Sequence, residues 1–345
     1  MKAPAFWTTP PGLAATLLSP AAAAFAWAGR RRRRQIPRRA PVPVLCVGNL
    51  VAGGAGKTPV ARSIVLALRR AGVDCHVLIR GHGGRLSGPL RVEPERHTAR
   101  DVGDEALLHA GTGPTWVSRD RAAGAAAAAA AGADILVMDD GFQNPQPAKD
   151  LSLVVVDGET GFGNGRVIPA GPLREPVNEG LARADAVVVI GTDRAGVRER
   201  VAAHRPDLPV LEAHLVHPPA AAWVRGVRLF AFAGIGRPGK FFASLRDLGA
   251  EVVGTAAFPD HHVYNEDEVF RLVERAQALR AELVTTEKDA VRLPSSARTM
   301  VRVVPVGLHW PDPGAVRRLV LPLLGPPQDP VSADMQAFDG QAFDF

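Results

Sequence analysis

The sequence predicts an α/β fold built on a parallel sheet, with a second, smaller α/β unit towards the C-terminus. From Pro41 onward, short apolar runs typical of buried strands alternate with helical patterns, and this order is typical of parallel sheets. The alternation is interrupted at 215–227, which contains Pro218 and Pro219, and then starts again. The chain has 345 residues, of which 46% are hydrophobic, so it is long enough for two cores.

Each element follows from its local pattern. The first unit is predicted to hold strands at 42–47, 74–79, 134–139, 151–156, 185–190 and 209–214, and helices at 57–70, 104–110, 120–131 and 193–204. The second is predicted to hold strands near 229–233, 250–254, 282–286 and 300–306, and helices near 238–248, 266–279 and 314–323. We therefore expect an N-terminal segment (1–40), a first domain (41–217), a second domain (218–325) and a flexible tail (326–345).

The first predicted strand runs into a glycine-rich loop that opens a helix. Such a loop points backbone N–H groups at phosphate oxygens, a lysine reaches the β- and γ-phosphates, and a hydroxyl ligates Mg²⁺. The helix adds its positive N-terminal end. A strict version of the pattern has Gly where this chain has Val51, and a purely structural glycine turn is the alternative. The residues predicted to bind ATP are Gly53, Gly54, Ala55, Gly56, Lys57 and Thr58.

A second motif supports a P-loop NTPase-like domain. The apolar run 135–138 is followed by Asp139 and Asp140, which places both carboxylates at the carboxyl edge of the predicted sheet, where open α/β folds bind ligands. A carboxylate there can hold Mg²⁺ opposite Thr58. The alternative is an aspartate that caps a turn at the end of a strand.

The positive charge is concentrated at the N-terminus. Of the 41 basic residues, eight lie within residues 1–39, where there is no acid, so the remaining chain has 33 basic against 35 acidic residues. A nucleic-acid enzyme usually spreads its basic surface over the folded domain, so we expect no nucleic-acid partner. Cys46 and Cys75 lie in apolar runs, which is typical of buried thiols in a reducing compartment.

The N-terminal segment combines apolar and basic residues. Pro20 interrupts its apolar run at 11–29, and a membrane span needs about 20 continuous apolar residues. We therefore expect an interfacial anchor, with arginines 30–34 against anionic lipid; a solvated, disordered leader is the alternative. The side chains expected in the lipid boundary are Phe6, Trp7, Leu13, Leu17, Leu18, Phe25 and Trp27.

Three further positions carry candidate chemistry. Asp104 follows Gly103 at a helix start, so it is either an N-cap or a general base for an attacking hydroxyl. The long Gly- and Pro-rich stretch 157–176 ends near Arg174 and Glu175, and irregular stretches of this length are usually functional or disordered. His261 or His262, in an Asp-His-His run, is a candidate to orient a carboxylate, with metal binding as the alternative.

At this point the motifs resemble one family, the tetraacyldisaccharide 4′-kinases, which are the lipid A 4′-kinases of Gram-negative bacteria. The blocks that carry the resemblance are VGNLVAGGAGKTP (47–59), RGHGG (80–84), VGDEALL (102–108), DDGFQN (139–144), GFGNGRVIPAGPLREP (161–176), FAGIGRPGKFF (232–242), FPDHH (258–262) and TTEKDA (285–290). The family shares the variant loop with Val at position 51 and a membrane-binding leader. One departure is His82, where the family commonly has Tyr.

The resemblance implies roles for individual residues. Lys57 and Thr58 would bind ATP and Mg²⁺, and Asp104 would be the catalytic aspartate with His261 as its partner. The remaining matches are Asp139, Asp140 and Gln143 near the metal and nucleotide, and Arg174 and Glu175 in the active site.

The resemblance further implies ATP- and Mg²⁺-dependent phosphorylation of the 4′-hydroxyl of a membrane glycolipid, a tetraacyldisaccharide 1-phosphate. The enzyme would lie at the cytoplasmic face of the inner membrane, as a peripheral or monotopic protein, with its oligomeric state left open. The alternatives are a P-loop ATPase or GTPase that switches a partner protein, and a nucleic-acid-binding module that uses the arginines within residues 30–39.

Overall fold

The computed structural model describes residues 4–324, and the tail predicted at 326–345 lies outside the described residues. The described chain forms two sheets. The strands are β1 (Val44–Gly48), β2 (Cys75–Ile79), β3 (Leu90–Arg91), β4 (Thr115–Val117), β5 (Ile135–Asp139), β6 (Leu151–Asp157), β7 (Ala186–Ile190), β8 (Val210–Val216), β9 (Arg228–Ala233), β10 (Glu251–Ala257), β11 (Glu282–Thr286), β12 (Arg302–Val304) and β13 (Gly307–His309).

The helices mostly follow the predicted alternation with the strands. They are α1 (Leu13–Leu17), α2 (Ser19–Arg33), α3 (Lys57–Arg70), α4 (Ala99–Val102), α5 (Asp104–Ala110), α6 (Arg121–Ala130), α7 (Val177–Leu181), α8 (Val197–His204), α9 (Pro238–Asp247), α10 (Glu266–Ala278), α11 (Glu287–Ala290) and α12 (Pro313–Val320). Short 3₁₀ turns lie at Ala5–Trp7, Pro219–Val224, Ser295–Met300 and Leu321–Leu323.

The large sheet has nine strands in the order β13-β8-β7-β6-β1-β5-β2-β4-β3. Every pair in it is parallel except the two edge pairs, β13 with β8 and β3 with β4. The central strands β1, β2, β5 and β7 are buried at every residue, because helices cover both faces of a parallel sheet. This mostly parallel sheet confirms the predicted α/β fold class.

The position of β1 decides where a ligand fits. In the sheet, β1 lies between β5 and β6. After β1 the chain first forms the strands on the β5 side of the sheet and then, from β6 onward, the strands on the other side. The carboxyl end of β1 is therefore a point where the strand order reverses, which is where open α/β sheets bind ligands.

The small sheet has four strands in the order β10-β9-β11-β12, and all of its pairs are parallel. The helices α9 and α10 contribute to the two apolar clusters around it. Phe241 and Leu245 of α9 pack in one cluster, and Val269 and Leu272 of α10 pack in the other. The four strands between 228 and 304 thus have a hydrophobic core of their own.

The C-terminal part of the described chain differs from the sequence prediction. The predicted second domain extended to residue 325, but β13 pairs with β8 of the large sheet. Trp310 is buried and donates from Nε1 to Ser63 Oγ at 2.9 Å, and Val316 and Val320 of α12 join the core beneath α3. Residues 307–324 therefore pack with the large sheet, because their apolar side chains complete its core.

The N-terminal segment contains α1 and α2. Several large apolar side chains on it are exposed, with Leu13 at 85%, Leu17 at 80% and Trp27 at 60% of their reference area. Phe6 and Trp7 differ from this pattern and lie half-buried against the loop at 163–170. Between residues 4 and 324, no helix is both long and apolar enough to cross a membrane.

Candidate active site

The predicted phosphate-binding loop, residues 51–58, joins the carboxyl end of β1 to the start of α3. Gly53 has φ 121° and Gly56 has φ 88°, backbone conformations that residues with a side chain rarely adopt. A Cβ atom placed on Gly53 or Gly54 would meet no atom within 4 Å. The loop therefore turns tightly beside open space, which leaves room for a phosphate chain.

Asp139 lies at the end of β5, next to the phosphate-binding loop. Thr58 Oγ1 donates to Asp139 Oδ2 at 2.9 Å, and His109 Nε2 lies 2.8 Å from the same oxygen. The other oxygen, Oδ1, is buried and has no hydrogen-bond partner among the described residues. A buried carboxylate oxygen without a partner is uncommon, and with the adjacent Thr58 hydroxyl it fits a hard divalent cation such as Mg²⁺.

Asp140 leaves the strand with a left-handed backbone, at φ 54°. Its Oδ1 accepts a hydrogen bond from Arg174 Nη1 at 2.7 Å and lies 3.7 Å from Lys57 Nζ. Burial would raise the pKa of Asp140, but the charges of Lys57 and Arg174 outweigh burial and hold this pKa below its ordinary value. Asp140 is thus a charged group that joins the loop lysine to the arginine.

Gln143 and Glu175 continue this network. Gln143 Nε2 donates to the backbone oxygen of Asn49 at 2.8 Å and to Glu175 Oε1 at 3.1 Å, while its Oε1 accepts from Arg174 at 3.3 Å. The Glu175 side chain is fully buried and pairs with Arg183 at 2.9 Å. Glu175 is therefore a buried acceptor that holds the side chains of Gln143 and Arg183 in place.

Asp104 and His261 come from different parts of the chain and meet directly. His261 Nδ1 lies 2.8 Å from Asp104 Oδ2, and Arg292 Nε lies 3.4 Å from the same oxygen. Asp104 Oδ1 accepts the N–H of Glu105 at 2.9 Å. Gly103, and not Asp104, is the N-cap of α5, so the capping alternative does not describe this aspartate.

The contact changes the titration of both groups in opposite directions. Burial would raise the pKa of Asp104, but the His261 hydrogen bond and the charges of Lys288 and Arg292 outweigh burial, so this pKa lies below its ordinary value. The Asp104 hydrogen bond raises the pKa of His261 above its ordinary value against the effect of burial. Asp104 is therefore held as a carboxylate whose orientation His261 fixes.

Sequence reasoning missed several side chains of this site. His109, which bonds Asp139, lies on α5 with Asp104, so the helical prediction at 104–110 already placed both on one element. Burial, followed by the charge of Asp139, raises the pKa of Glu105, and Lys288 Nζ lies 3.8 Å from its carboxylate. Arg292 lies just after the short helix α11 and belongs to no motif in the sequence that would have indicated its contact with Asp104.

The predicted site residues form one connected region. The phosphate-binding loop, Asp139 and Asp140 meet at the carboxyl end of the large sheet, and α5 connects them through His109 to Asp104 and His261. His82 lies beside this pair, with its ring centroid 6.5 Å from that of His261 in an edge-on arrangement. The region thus combines a phosphate-binding loop, a cation-compatible carboxylate and an oriented second carboxylate.

Comparison with known proteins assigns a family. The family model for tetraacyldisaccharide-1-P 4′-kinase matches residues 14–324. A tetraacyldisaccharide 4′-kinase of Rhodospirillum centenum is 59% identical over 335 residues, which is 95% of this chain and 98% of that one. Another, from Gluconacetobacter diazotrophicus, is 54% identical over 321 residues, covering 93% of this chain and 97% of its own.

A solved structure is similar in fold. The crystal structure of LpxK from Aquifex aeolicus in complex with ATP superposes with a TM-score of 0.69 at 23% identity, covering 90% of this chain and 99% of that one. The relatives and the family model agree along nearly the whole length of the chain. The chain therefore belongs to the tetraacyldisaccharide 4′-kinase family.

Proposed function

We propose that this chain is a kinase that transfers the γ-phosphate of ATP to the 4′-hydroxyl of a tetraacyldisaccharide 1-phosphate in lipid A biosynthesis. The observation that carries the proposal is the 2.8 Å contact between Asp104 and His261. Asp104 lies on α5, and His109 of the same helix contacts Asp139. Asp139 in turn accepts a hydrogen bond from Thr58. A carboxylate held in this way can accept the proton of an attacking hydroxyl, and the family to which the chain belongs favours a sugar hydroxyl over water as the acceptor.

Lys57 and the loop amides bind the phosphates of ATP. Lys57 supplies a positive charge next to the β- and γ-phosphate positions, where charge shifts during transfer. The open space beside Gly53 and Gly54 supports this placement. Gln143, hydrogen-bonded to the backbone oxygen of Asn49 between β1 and the loop, helps to shape the same side of the site.

Thr58 and Asp139 would hold Mg²⁺, on the basis of the buried Asp139 Oδ1 that has no hydrogen-bond partner within residues 4–324. Asp140 adds a second carboxylate nearby, although it also pairs with Arg174. When bound, the ion would neutralise negative charge on the phosphates during transfer. The protein's own contribution is to hold the Thr58 hydroxyl against Asp139 at 2.9 Å.

Asp104 accepts the proton of the acceptor hydroxyl as the oxygen attacks the γ-phosphate. Its lowered pKa keeps it ionised, and a carboxylate has lone pairs beyond those used by His261 and the Glu105 N–H. His261 and Arg292 fix its orientation, while Arg174 places positive charge near Lys57 and Asp140. Together these residues position the acceptor and balance the transferred charge.

We divide the chain into two domains that close over the reactants. The first contains residues 41–217 together with 307–324, and the second contains residues 218–306. Ion pairs that join them, such as Arg62 with Glu287 at 2.9 Å and Arg237 with Asp157 at 3.0 Å, support a closed arrangement. Closure excludes water, so that phosphate passes to the sugar rather than to water.

The N-terminal segment holds the enzyme at a membrane surface. The exposed side chains of Leu13, Leu17, Phe25 and Trp27 provide an apolar face that can enter the lipid boundary. The exposed arginines 31, 32 and 34 add attraction to anionic lipid. We place the enzyme at the cytoplasmic face of the bacterial inner membrane as a peripheral protein, where the glycolipid and ATP are both accessible.

Phosphate transfer from γ-labelled ATP tests the function. The protein is incubated with ATP, Mg²⁺ and the tetraacyldisaccharide 1-phosphate in detergent micelles, and the lipid is separated by thin-layer chromatography. We expect label in the lipid, and NMR of the product to place the new phosphate at the 4′ position. The control is the same disaccharide already phosphorylated at 4′, which should take up no label. Release of labelled phosphate without labelled lipid would contradict the proposal and favour a switching ATPase.

A further inference from the structure

The N-terminal segment contacts the middle of the long active-site loop, which spans residues 158–176. Asn164 donates from its backbone N–H to Trp7 O at 2.8 Å and from Nδ2 to Phe6 O at 3.0 Å. In return, Trp7 Nε1 donates to Pro169 O at 3.1 Å. These bonds join the segment to protein groups rather than to lipid, so the segment is also part of the loop's structure.

The C-terminal end of α2 contacts the end of the same loop. Arg33 Nε lies 3.4 Å from Glu175 Oε2, and Arg33 Nη2 lies 3.0 Å from Glu179 Oε2. The Arg33 side chain is only 11% exposed and that of Glu175 is fully buried. A carboxylate buried to this degree is strongly unfavourable when one of its cations is removed. Arg33 therefore does not face a lipid surface, unlike the neighbouring Arg32, which is exposed.

Glu175 connects Arg33 to the candidate active site through a series of hydrogen bonds. Its Oε1 accepts from Gln143 at 3.1 Å, and Gln143 in turn accepts from Arg174 at 3.3 Å. Arg174 donates to Asp140 at 2.7 Å beside Lys57. A continuous line of polar contacts thus joins the last residue of α2 to the arginine that faces the phosphate site.

We propose that Arg33 is a positioning residue for phosphoryl transfer, which acts through Glu175 and Gln143 to hold Arg174 in place. This inference rests on the proposed kinase function. The N-terminal segment then has two separable roles, because its exposed apolar and basic side chains face outward while Arg33 completes the support of the active site. The effect of Arg33 on catalysis is independent of membrane binding by the segment.

Substitution in detergent micelles separates the two roles, since there the enzyme does not need to find a bilayer. We expect Arg33→Gln to lower kcat by about tenfold, the scale expected when a catalytic group is displaced by less than 1 Å, with KM for ATP unchanged. Arg33→Lys should restore most of the loss by returning a positive charge. The matched control, Arg32→Gln, should leave kcat unchanged and weaken binding to vesicles of anionic phospholipid.

Hydrogen exchange gives a readout that does not depend on activity. In Arg33→Gln, amides 173–175 should exchange faster than in the wild type, while those of α3 should not change. Wild-type kcat and wild-type exchange in Arg33→Gln would overturn the inference. So would equal loss of kcat in Arg33→Lys and Arg33→Gln with a lowered melting temperature, which would indicate a folding defect. If the wild type transferred no phosphate to lipid, the proposed function would fail, while the exchange result would still decide whether Arg33 holds the loop.

Discussion

Replacing Asp104 with Asn removes the carboxylate charge and keeps the size of the side chain. A positioned general base contributes about 10²–10⁴-fold, which is about 3–5 kcal/mol of activation free energy. The side chain is 7% exposed and contacts His261 at 2.8 Å, so a replacement base from solvent has little access. We expect kcat to fall by about two to four orders of magnitude. The affinity for ATP should not change, because the side-chain hydrogen bond of Asp104 is made to His261.

The size of the His261 effect follows from what the histidine does. His261→Gln removes one hydrogen bond to a charged carboxylate, and hydrogen bonds to charged groups contribute about 1.5–3 kcal/mol. The expected loss in kcat is therefore about tenfold to a hundredfold. If Asp104 and His261 act as one unit, the double variant should be no worse than Asp104→Asn, whereas independent effects would multiply. The two outcomes thus differ by about tenfold or more.

The assay is the initial rate of lipid phosphorylation at saturating ATP and lipid, for the wild type, both single variants and the double variant. The matched control is His262→Gln, because His262 is the adjacent histidine and its Nε2 lies 3.3 Å from Glu268, away from Asp104. Its kcat should stay near that of the wild type. Multiplicative losses in the double variant, or a His262→Gln loss equal to that of His261→Gln, would refute the pairing.

The same pair predicts a change in titration. The raised pKa of His261 stabilises the fold below the ordinary pKa of histidine, and this contribution is lost as the pH rises through the raised value. The lowered pKa of Asp104 contributes above the ordinary aspartate value and is lost as the pH falls through the lowered one. The contact therefore stabilises most between the two ordinary values. In Asp104→Asn, the His261 ring signal in NMR should titrate at lower pH; an unchanged midpoint would contradict the assigned cause.

Three other changes test the rest of the site. Lys57→Ala should abolish most transfer with little change in melting temperature, because Lys57 meets charge that develops on the γ-phosphate; normal turnover would remove the loop from the ATP site. Thr58→Val should raise the Mg²⁺ concentration needed for half-maximal rate, and an unchanged Mg²⁺ dependence would place the ion elsewhere. Leu17→Ser with Trp27→Ser should reduce sedimentation with anionic vesicles while micellar kcat stays unchanged, whereas unchanged sedimentation would contradict the anchor.

The parts of the fold that could be predicted are those encoded by local pattern. The strand β1, the loop after it and α3 follow from a continuous stretch of sequence, and α3 begins and ends at the predicted residues 57 and 70. The alanine-rich helix was predicted at 120–131 and spans Arg121–Ala130, with Asp120 as its N-cap. Because parallel strands end at one edge, Asp139 could be expected near Thr58, and the two lie 2.9 Å apart.

The parts that could not be predicted depend on contacts distant in sequence. The strand β13 has only three residues, too few for a periodic pattern, and it pairs with β8 about ninety positions earlier in the chain. The inward ion pairs of Arg33 could not be separated from the run of arginines at 30–34, because five residues of one type carry no mark of which one faces the protein, although neighbours point about 100° apart around a helix. Geometry, and not residue type, distinguishes them.

The helix α5 connects Asp104, the proposed general base, to Asp139, the carboxylate that fits a metal ion. Its first residue, Asp104, contacts His261 and Arg292 on the side of the small sheet. Its sixth residue, His109, contacts Asp139 of the large sheet. The two are five residues apart, or about 7.5 Å along a helix axis, and a hydrogen-bonded helix transmits displacement along its length. We therefore expect that a movement of the small sheet that repositions Asp104 also shifts the Asp139 carboxylate beside Thr58, so that closure of the two proposed domains would align the proposed proton acceptor with the phosphate site.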